Sequence, residues 1–219
     1  MRAVMGSFVR SFLAHFRLIA TACAIIAIFM GSVLVIAVKA GVEPSDLTRD
    51  LGGVLRMEPF IGSISNLGFF FWFGALTLSF LGYRLFQKGE LSTRSNMYGL
   101  ASMITLLLAV DDVYQLHEVI LPVTLGIHEG VFYLVYLILT FAFIIRFHRE
   151  LMGEYFALIV LAYLLFASSI AFDSLIEGRI PFSTYIEDTL KLSGIITWFL
   201  FFWFSVTVDL KTSLSNRRN

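Results

Sequence analysis

Apolar residues occur in six long runs along the chain, and short polar connections separate them. A helix that crosses a hydrocarbon core of about 30 Å needs about 20 apolar residues, because each residue adds about 1.5 Å. Every run is close to that length or exceeds it, so the pattern predicts six transmembrane helices. The predicted spans are Leu18–Val38, Phe60–Phe86, Met97–Leu121, Glu129–Phe147, Tyr155–Ile176 and Asp188–Val208.

The composition places the chain among membrane proteins. Of its 219 residues, 58% are hydrophobic and 15% are charged, whereas soluble domains have roughly 45–50% apolar and about 25% charged residues. We expect an all-α, polytopic membrane helix bundle that forms a single integral membrane domain over residues 1–219. The basic residues are scattered, which argues against nucleic-acid binding. The one cysteine, Cys23, permits neither an internal disulfide nor a Cys-based metal motif.

Charge asymmetry across the predicted spans orients the bundle. With both termini on one side, that side has eleven Lys/Arg and four acids, and the other side has five Lys/Arg and twelve acids. The positive-inside rule therefore places the N- and C-termini in the cytoplasm and the protein in the cell (cytoplasmic) membrane. The first span follows three arginines, as a secretory signal does, but its apolar run exceeds the usual signal core of roughly 7–15 residues. We expect an uncleaved anchor helix.

The extracytoplasmic loop at residues 39–59 has a helical pattern of its own. Its apolar residues recur at helical spacing, at Leu47, Leu51, Val54 and Leu55. This spacing predicts a short amphipathic helix on the membrane surface, weakened by two adjacent glycines.

Two segments of similar pattern, Ala109–Gly130 and Ala171–Thr189, predict an internal repeat. In both, a proline is followed by an apolar residue, a hydroxyl residue, two further residues, an isoleucine and a polar pair. Before the proline, Asp111 matches Asp173, and the second copy is shorter there by about one helical turn. We predict that helices three and four and helices five and six are parallel duplicates, an arrangement that builds sites at the repeat interface.

The segment Leu106–Pro122, LLLAVDDVYQLHEVILP, places charge inside an apolar run. Asp111 and Asp112 would lie about 21 Å into a helix that begins at Met97. An aspartate well inside a bilayer costs on the order of 2.5–3.5 kcal/mol, and such residues usually face a cavity or the bundle interior. A functional role is therefore predicted for both.

Helical geometry sorts the polar side chains of this segment. At about 100° per residue, Asp111, Gln115 and Glu118 form one stripe on a continuous third helix. Asp112 and His117 flank that stripe on opposite sides. One of these two is therefore predicted to have a different partner.

Further charged residues lie near the same outer side in helices five and six. Ser169, Asp173 and Glu177 are spaced by four residues and share one stripe. Glu187 and Lys191 are also spaced by four, so the lysine would neutralise a neighbouring acid of helix six.

Structural roles compete with functional ones for several of these residues. Glu187 fits a helix capping box with Thr184. Glu129 and Asp188 lie where they would complement helix dipoles. His128 would be an interfacial loop residue.

The acids of the outer side outnumber the cations. Only Lys191 and Arg179 are available against up to eight acids, so either several acids are protonated or a metal or other cation supplies positive charge. Histidine with carboxylates suits zinc, iron or manganese, and a divalent metal of this group is the predicted cofactor. The predicted metal ligands are Asp111, His117, Glu118, His128 and Asp173. The predicted catalytic carboxylates are Asp112 and Glu177, and the site also includes Gln115, Glu129, Glu187, Asp188 and Lys191.

These features favour a metal-dependent hydrolase that acts on a lipid-like substrate. The metal would activate water, and an unligated carboxylate would act as base. A lipid could reach the site from the bilayer beside the aromatic stretches FFFWFGAL and WFLFFWF, whose ordinary role is packing against lipid. Two other classes stay open. The same acids would be the translocation site of a cation- or proton-coupled carrier, or they would bind an ion or partner in a non-enzymatic subunit of an oligomeric membrane complex.

Overall fold

The structure is a computed structural model that describes residues 16–41, 62–88, 91–153, 155–176 and 183–216. Within these ranges the chain is helical and has no strand, as predicted for an all-α protein. The long helices are α1 (Phe16–Lys39), α2 (Ser63–Leu85), α3 (Ser92–Tyr114), α4 (Glu129–Arg146), α5 (Phe156–Ile176) and α6 (Ser183–Asn216). Shorter elements are a π-helical turn at Leu116–Ile120 and helices at Leu121–Leu125 and His148–Leu151.

Five of the long helices, α2 to α6, are long and apolar enough to cross a membrane. They correspond to the second to sixth predicted spans. Residues 1–61 form a separate unit, and α1 within it is a helix of 24 residues. A sixth span, cytoplasmic termini and a single domain stay predictions. The predicted surface helix, with Leu47, Leu51, Val54 and Leu55, lies outside the described residues.

Glycines and tyrosines pack α2 against α3. A Cβ atom at Gly82 would lie 2.8 Å from the ring of Tyr98, and one at Gly99 would lie 2.9 Å from the ring of Tyr83. Small residues let membrane helices approach closely, which raises the van der Waals contact that holds them together. Tyr83 contacts Ser95 near one end of the pair, and Trp72 contacts Asp112 near the other, so α2 and α3 are antiparallel.

The long helix α6 packs along α2 and α5 and contacts α3 through individual side chains. Trp198 of α6 is fully buried, and its indole N–H donates to Thr105 Oγ1 of α3 at 3.0 Å. Around it lie Phe143, Tyr163 and Phe202, with ring centroids 5.2–6.3 Å away. Aromatic packing therefore fills the middle of the bundle.

The aromatic stretches divide between the core and the surface. Trp72, Trp198, Phe201 and Phe202 are buried, whereas Phe70, Phe73, Trp203 and Phe204 are exposed. Packing against lipid therefore accounts for only part of each stretch.

A charged cluster ties α3 to α6 at the end of the bundle that the charge pattern assigns to the cytoplasm. Asp209 is 3% exposed and accepts a hydrogen bond from the Tyr98 hydroxyl at 2.7 Å. The Arg94 Nε atom lies 2.9 Å from the same carboxylate oxygen. The sequence pattern did not single out this cluster, because Arg94 and Asp209 are 115 positions apart and lie at span ends.

Helix α4 is the least buried of the five membrane-length helices. Of its 18 residues, all described, Phe143 is the buried one. Two tyrosine hydrogen bonds join it to α5: Tyr133 donates to Asp173 Oδ2 at 3.0 Å, and Tyr163 donates to the Thr140 carbonyl at 3.4 Å. A cavity lies behind these bonds, between α4 and the rest of the bundle.

Candidate functional site

The site begins where α3 ends. Gln115 has φ 49°, a left-handed conformation that ordinary residues rarely adopt, and it stops the helix after Tyr114. A π-helical turn follows at Leu116–Ile120. The prediction of a third helix that continues to Leu121 was therefore wrong, and so was the stripe formed by Asp111, Gln115 and Glu118. Because the regular α-helix is interrupted at Gln115, residues before and after it do not share a face at α-helical spacing.

The break folds His117 back onto Asp111. The His117 backbone N–H donates to Asp111 Oδ1 at 3.0 Å, and its ring Nδ1 lies 2.5 Å from Asp111 Oδ2. The other ring nitrogen, Nε2, lies 3.4 Å from Glu118 Oε1. Asp111 and His117 are only 4% and 6% exposed. One histidine thus joins two carboxylates.

These contacts favour the protonated form of His117. Burial lowers the pKa of the ring, but the hydrogen bonds to Asp111 and Glu118 outweigh it and raise the pKa to about 9. The same hydrogen bond from His117 lowers the pKa of Glu118. At neutral pH, an imidazolium therefore lies between two carboxylates.

The neighbouring Asp112 pairs with α6 and α2. Its Oδ1 atom lies 2.5 Å from Lys191 Nζ, and its Oδ2 atom accepts from the Trp72 indole N–H at 3.2 Å. Lys191 was predicted to neutralise an acid of α6, but it pairs with Asp112 of α3 instead. Asp112 and His117 contact different residues, but both line the same cavity because the break redirects His117.

Two further carboxylates receive hydrogen bonds from neutral hydroxyl groups. Asp173 of α5 accepts from Tyr133, and Glu187 of α6 accepts from Ser169 Oγ at 3.4 Å. Neither forms an ion pair with a lysine, arginine or histidine in the part of the chain that the structure describes.

These groups line one cavity of about 170 Å³ between α2, α3, α4, α5 and α6. Its charged residues are Asp111, Asp112, His117, Glu118, Asp173, Glu187 and Lys191. Its aromatic residues are Trp72, Tyr133, Tyr136, Tyr163 and Phe166. Five carboxylates thus face two cationic side chains among the described residues, beside aromatic and aliphatic walls.

The cavity gathers most of the predicted site but not all of it. Gln115 ends α3 and is exposed. His128 is the N-cap of α4, where its Nδ1 accepts from the Gly130 N–H at 3.1 Å. Glu129 lies in the first turn of α4, consistent with its structural alternative. Asp188 lines a smaller cavity on the other side of Lys191.

Glu177 lies outside the described residues, as do Arg179 and the proline of the second repeat. Their place relative to the cavity stays a prediction. The predicted duplication of the two hairpins stays a prediction as well.

Sequence reasoning missed the aromatic half of the site. Tyr133 and Tyr136 face the His117 ring, with centroids 5.1 and 6.2 Å away. Trp72 stacks on Phe166 with an interplanar angle of 5°. The tyrosine spacing in α4, three residues, was the available signal, because it places both on one face of a helix.

Across the described residues, no group of three or more histidine, cysteine, aspartate or glutamate side chains is arranged to hold a metal ion. The observed donors contact one another or a hydroxyl, amine or indole group instead. The predicted zinc, iron or manganese site therefore stays a prediction.

Comparison with known proteins adds a family. The sequence matches the family model described as "Domain of unknown function (DUF8692)" over residues 17–205. No curated protein and no solved structure matches the chain. The matched range contains every residue that lines the cavity. The chain therefore belongs to the family of the domain of unknown function DUF8692.

Proposed function

We propose that the protein is a membrane protein that binds an organic cation of the ammonium type in the acidic cavity. The observation that carries this proposal is the state of Asp173 and Glu187. Both line the cavity, and both accept hydrogen bonds only from neutral hydroxyls among the described residues. His117 contacts Asp111 and Glu118, and Lys191 contacts Asp112, so Asp173 and Glu187 are the two carboxylates of the cavity that contact no cationic side chain among the described residues.

The aromatic walls support an ammonium group rather than a bare metal ion. Five aromatic rings line the cavity. Their faces attract cations, and such rings commonly surround alkylated ammonium groups. A bare divalent ion would require several oxygen or nitrogen donors around one point.

Binding of tetramethylammonium to the protein purified in an uncharged detergent tests this proposal. Titration calorimetry should give saturable binding. Asp173→Asn and Glu187→Gln should each weaken it at least about tenfold, because a contact to a charged group is worth roughly 1.5–3 kcal/mol. Asp188→Asn is the matched control, because Asp188 belongs to α6 but does not line this cavity.

Two outcomes would contradict the proposal. One is the absence of tetramethylammonium binding to the folded wild-type protein. The other is equal loss of affinity in Asp188→Asn and Asp173→Asn.

A hydrolase is the second candidate, and the Asp111–His117 contact favours it. A histidine oriented by a carboxylate is a common acid–base catalyst. Because His117 is protonated at neutral pH, its first role would be to donate a proton to a leaving group. In this candidate, Asp111, Glu118 and Asp173 would hold the predicted metal that activates water, because a protonated His117 is not a metal ligand.

Metal content separates the two candidates. Mass spectrometry of the purified protein should be compared with an Asp111→Asn/Asp173→Asn variant that still folds. About one zinc, iron or manganese per chain, lost in the variant, would support the hydrolase. Absence of metal from both samples would contradict metal-dependent hydrolysis and leave cation binding in place.

A further inference from the structure

The cavity is open at the side of the bundle. Leu137 of α4 is 62% exposed and Ile170 of α5 is 38% exposed, yet both line the cavity. Ala167 of α5 also lines it and is exposed. A side chain that is exposed and lines a cavity marks its mouth. We call Leu137, Ala167 and Ile170 the α4–α5 window.

Two hydrogen bonds frame this window. Tyr133–Asp173 closes it toward one end of α5, and Tyr163–Thr140 closes it toward the other. Ten residues of α5 separate the two bonds, which corresponds to about 15 Å along the helix. Both helices are long and apolar enough to cross a membrane, so in a bilayer this window would open toward the acyl chains.

The lining changes character from the interior of the cavity to its mouth. Ser169 is buried, and Asp173 and Glu187 are partly buried. Leu137 and Ile170 are apolar and exposed at the mouth. A ligand that satisfies both parts has a cationic head and an apolar chain.

We propose that the cavity takes its ligand from the bilayer through the α4–α5 window, and that this ligand is an amphiphile with an ammonium headgroup. The headgroup lies at Asp173 and Glu187. The hydrocarbon chain lies along Leu137 and Ile170 and reaches the surrounding acyl chains. This inference rests on the proposed function and adds the substrate class and the route.

A series of alkyltrimethylammonium ions tests the inference. The series runs from tetramethylammonium to hexyltrimethylammonium, short enough to stay mainly in water. Burial of a methylene group is worth about 0.8 kcal/mol, or about fourfold in affinity. Over the series, the affinity of the purified protein should rise at least about tenfold.

Two neighbouring substitutions provide the matched pair. Leu137→Trp places a large ring in the window, whereas Ile138→Trp places it on the same helix at a residue that is 58% exposed and does not line the cavity. We expect Leu137→Trp to weaken hexyltrimethylammonium binding at least about fivefold, with little change for tetramethylammonium. Ile138→Trp should leave both unchanged.

The outcomes separate this inference from the proposed function. Equal affinity for both ions, or equal behaviour of the two tryptophan variants, would overturn the amphiphile and its route while cation binding stands. If neither ion bound the wild-type protein, both proposals would be overturned. Thermal unfolding of each variant shows whether it is folded before affinities are compared.

Discussion

Charged side chains around the cavity neutralise one another. Asp112 and Lys191 come from α3 and α6, and Asp111 is held by His117 beyond the end of α3. A charge that leaves water must regain its interactions, or its burial opposes folding. The ion pairs thus permit a charged cavity inside an otherwise apolar bundle.

Loss of Lys191 should expose the cost of an unpaired carboxylate. Lys191→Met leaves Asp112 with the Trp72 indole as its remaining partner and without its cation. Water cannot fully replace the lysine, because the two side chains are only 11–30% exposed. We expect destabilisation of about 1–3 kcal/mol. The double variant Lys191→Met/Asp112→Asn should regain part of this loss. Thermal unfolding in detergent measures both, and a double variant no more stable than Lys191→Met would contradict the pairing.

The stability of the protein should fall as pH rises from 7 to 9.5. Asp111 and Glu118 hold the pKa of His117 at about 9, above its ordinary 6.5. The folded state therefore binds this proton more tightly than the unfolded state. The resulting stabilisation, on the order of 2–3 kcal/mol, is complete below pH 6.5 and lost as pH passes 9.

The variant His117→Gln isolates this contribution. Its melting temperature should depend less on pH over this range than that of the wild-type protein. Parallel pH profiles for the two proteins would mean that His117 does not contribute a raised pKa.

Helix α3 supplies the site because it ends early. If α3 continued to Leu121, His117 would follow the regular helical rotation away from Asp111. The left-handed Gln115 and the following π-helical turn instead bring the His117 N–H and ring to the same carboxylate. π-Helical turns are often found at functional sites.

Substitutions at Gln115 should follow its backbone conformation. Glycine adopts a positive φ freely, whereas a β-branched residue does so at a cost. We expect Gln115→Gly to be neutral or to stabilise the protein by up to about 1 kcal/mol, and Gln115→Val to destabilise it by roughly 1–2 kcal/mol. Equal unfolding temperatures for the two variants would contradict a left-handed backbone conformation at Gln115.

Helices α2 to α6 form a packed body with one peripheral helix, α4. Helices α2, α3, α5 and α6 share the buried aromatic core, whereas α4 buries Phe143 and makes two tyrosine hydrogen bonds to α5. Regions with few buried contacts open at lower free energy than the core. This division places the cavity at the weakest packed boundary among the described helices of residues 62–219.

Hydrogen exchange should reveal this division. Mass spectrometry in detergent should find faster amide exchange in α4 than in α3, which has nine buried residues. Tyr133→Phe, which removes the bond to Asp173, should increase exchange in α4 further. Tyr185→Phe, at an exposed tyrosine of α6, is the control. Equal protection of α3 and α4 in the wild-type protein would contradict the peripheral position of α4.

Much of the architecture was predictable from local pattern. Long apolar runs predict helices α2 to α6 without knowledge of their neighbours, because a helix forms its backbone hydrogen bonds within its own segment. Charge inside such runs also identified most of the polar cavity, since isolated charge is costly there. Asp111, Asp112, His117, Glu118, Asp173, Glu187 and Lys191 were all predicted site residues, and all line the cavity.

The pairing of these residues required the three-dimensional fold. Lys191 meets Asp112 across 79 positions, and Tyr133 meets Asp173 across 40. Helical spacing relates only residues three or four positions apart, so it could assign Lys191 only to its neighbours in α6. The end of α3 at Gln115 also carries no glycine or proline signal. Packing between helices therefore determines which charges of the cavity are neutralised, and which two of its carboxylates contact no cationic side chain among the described residues.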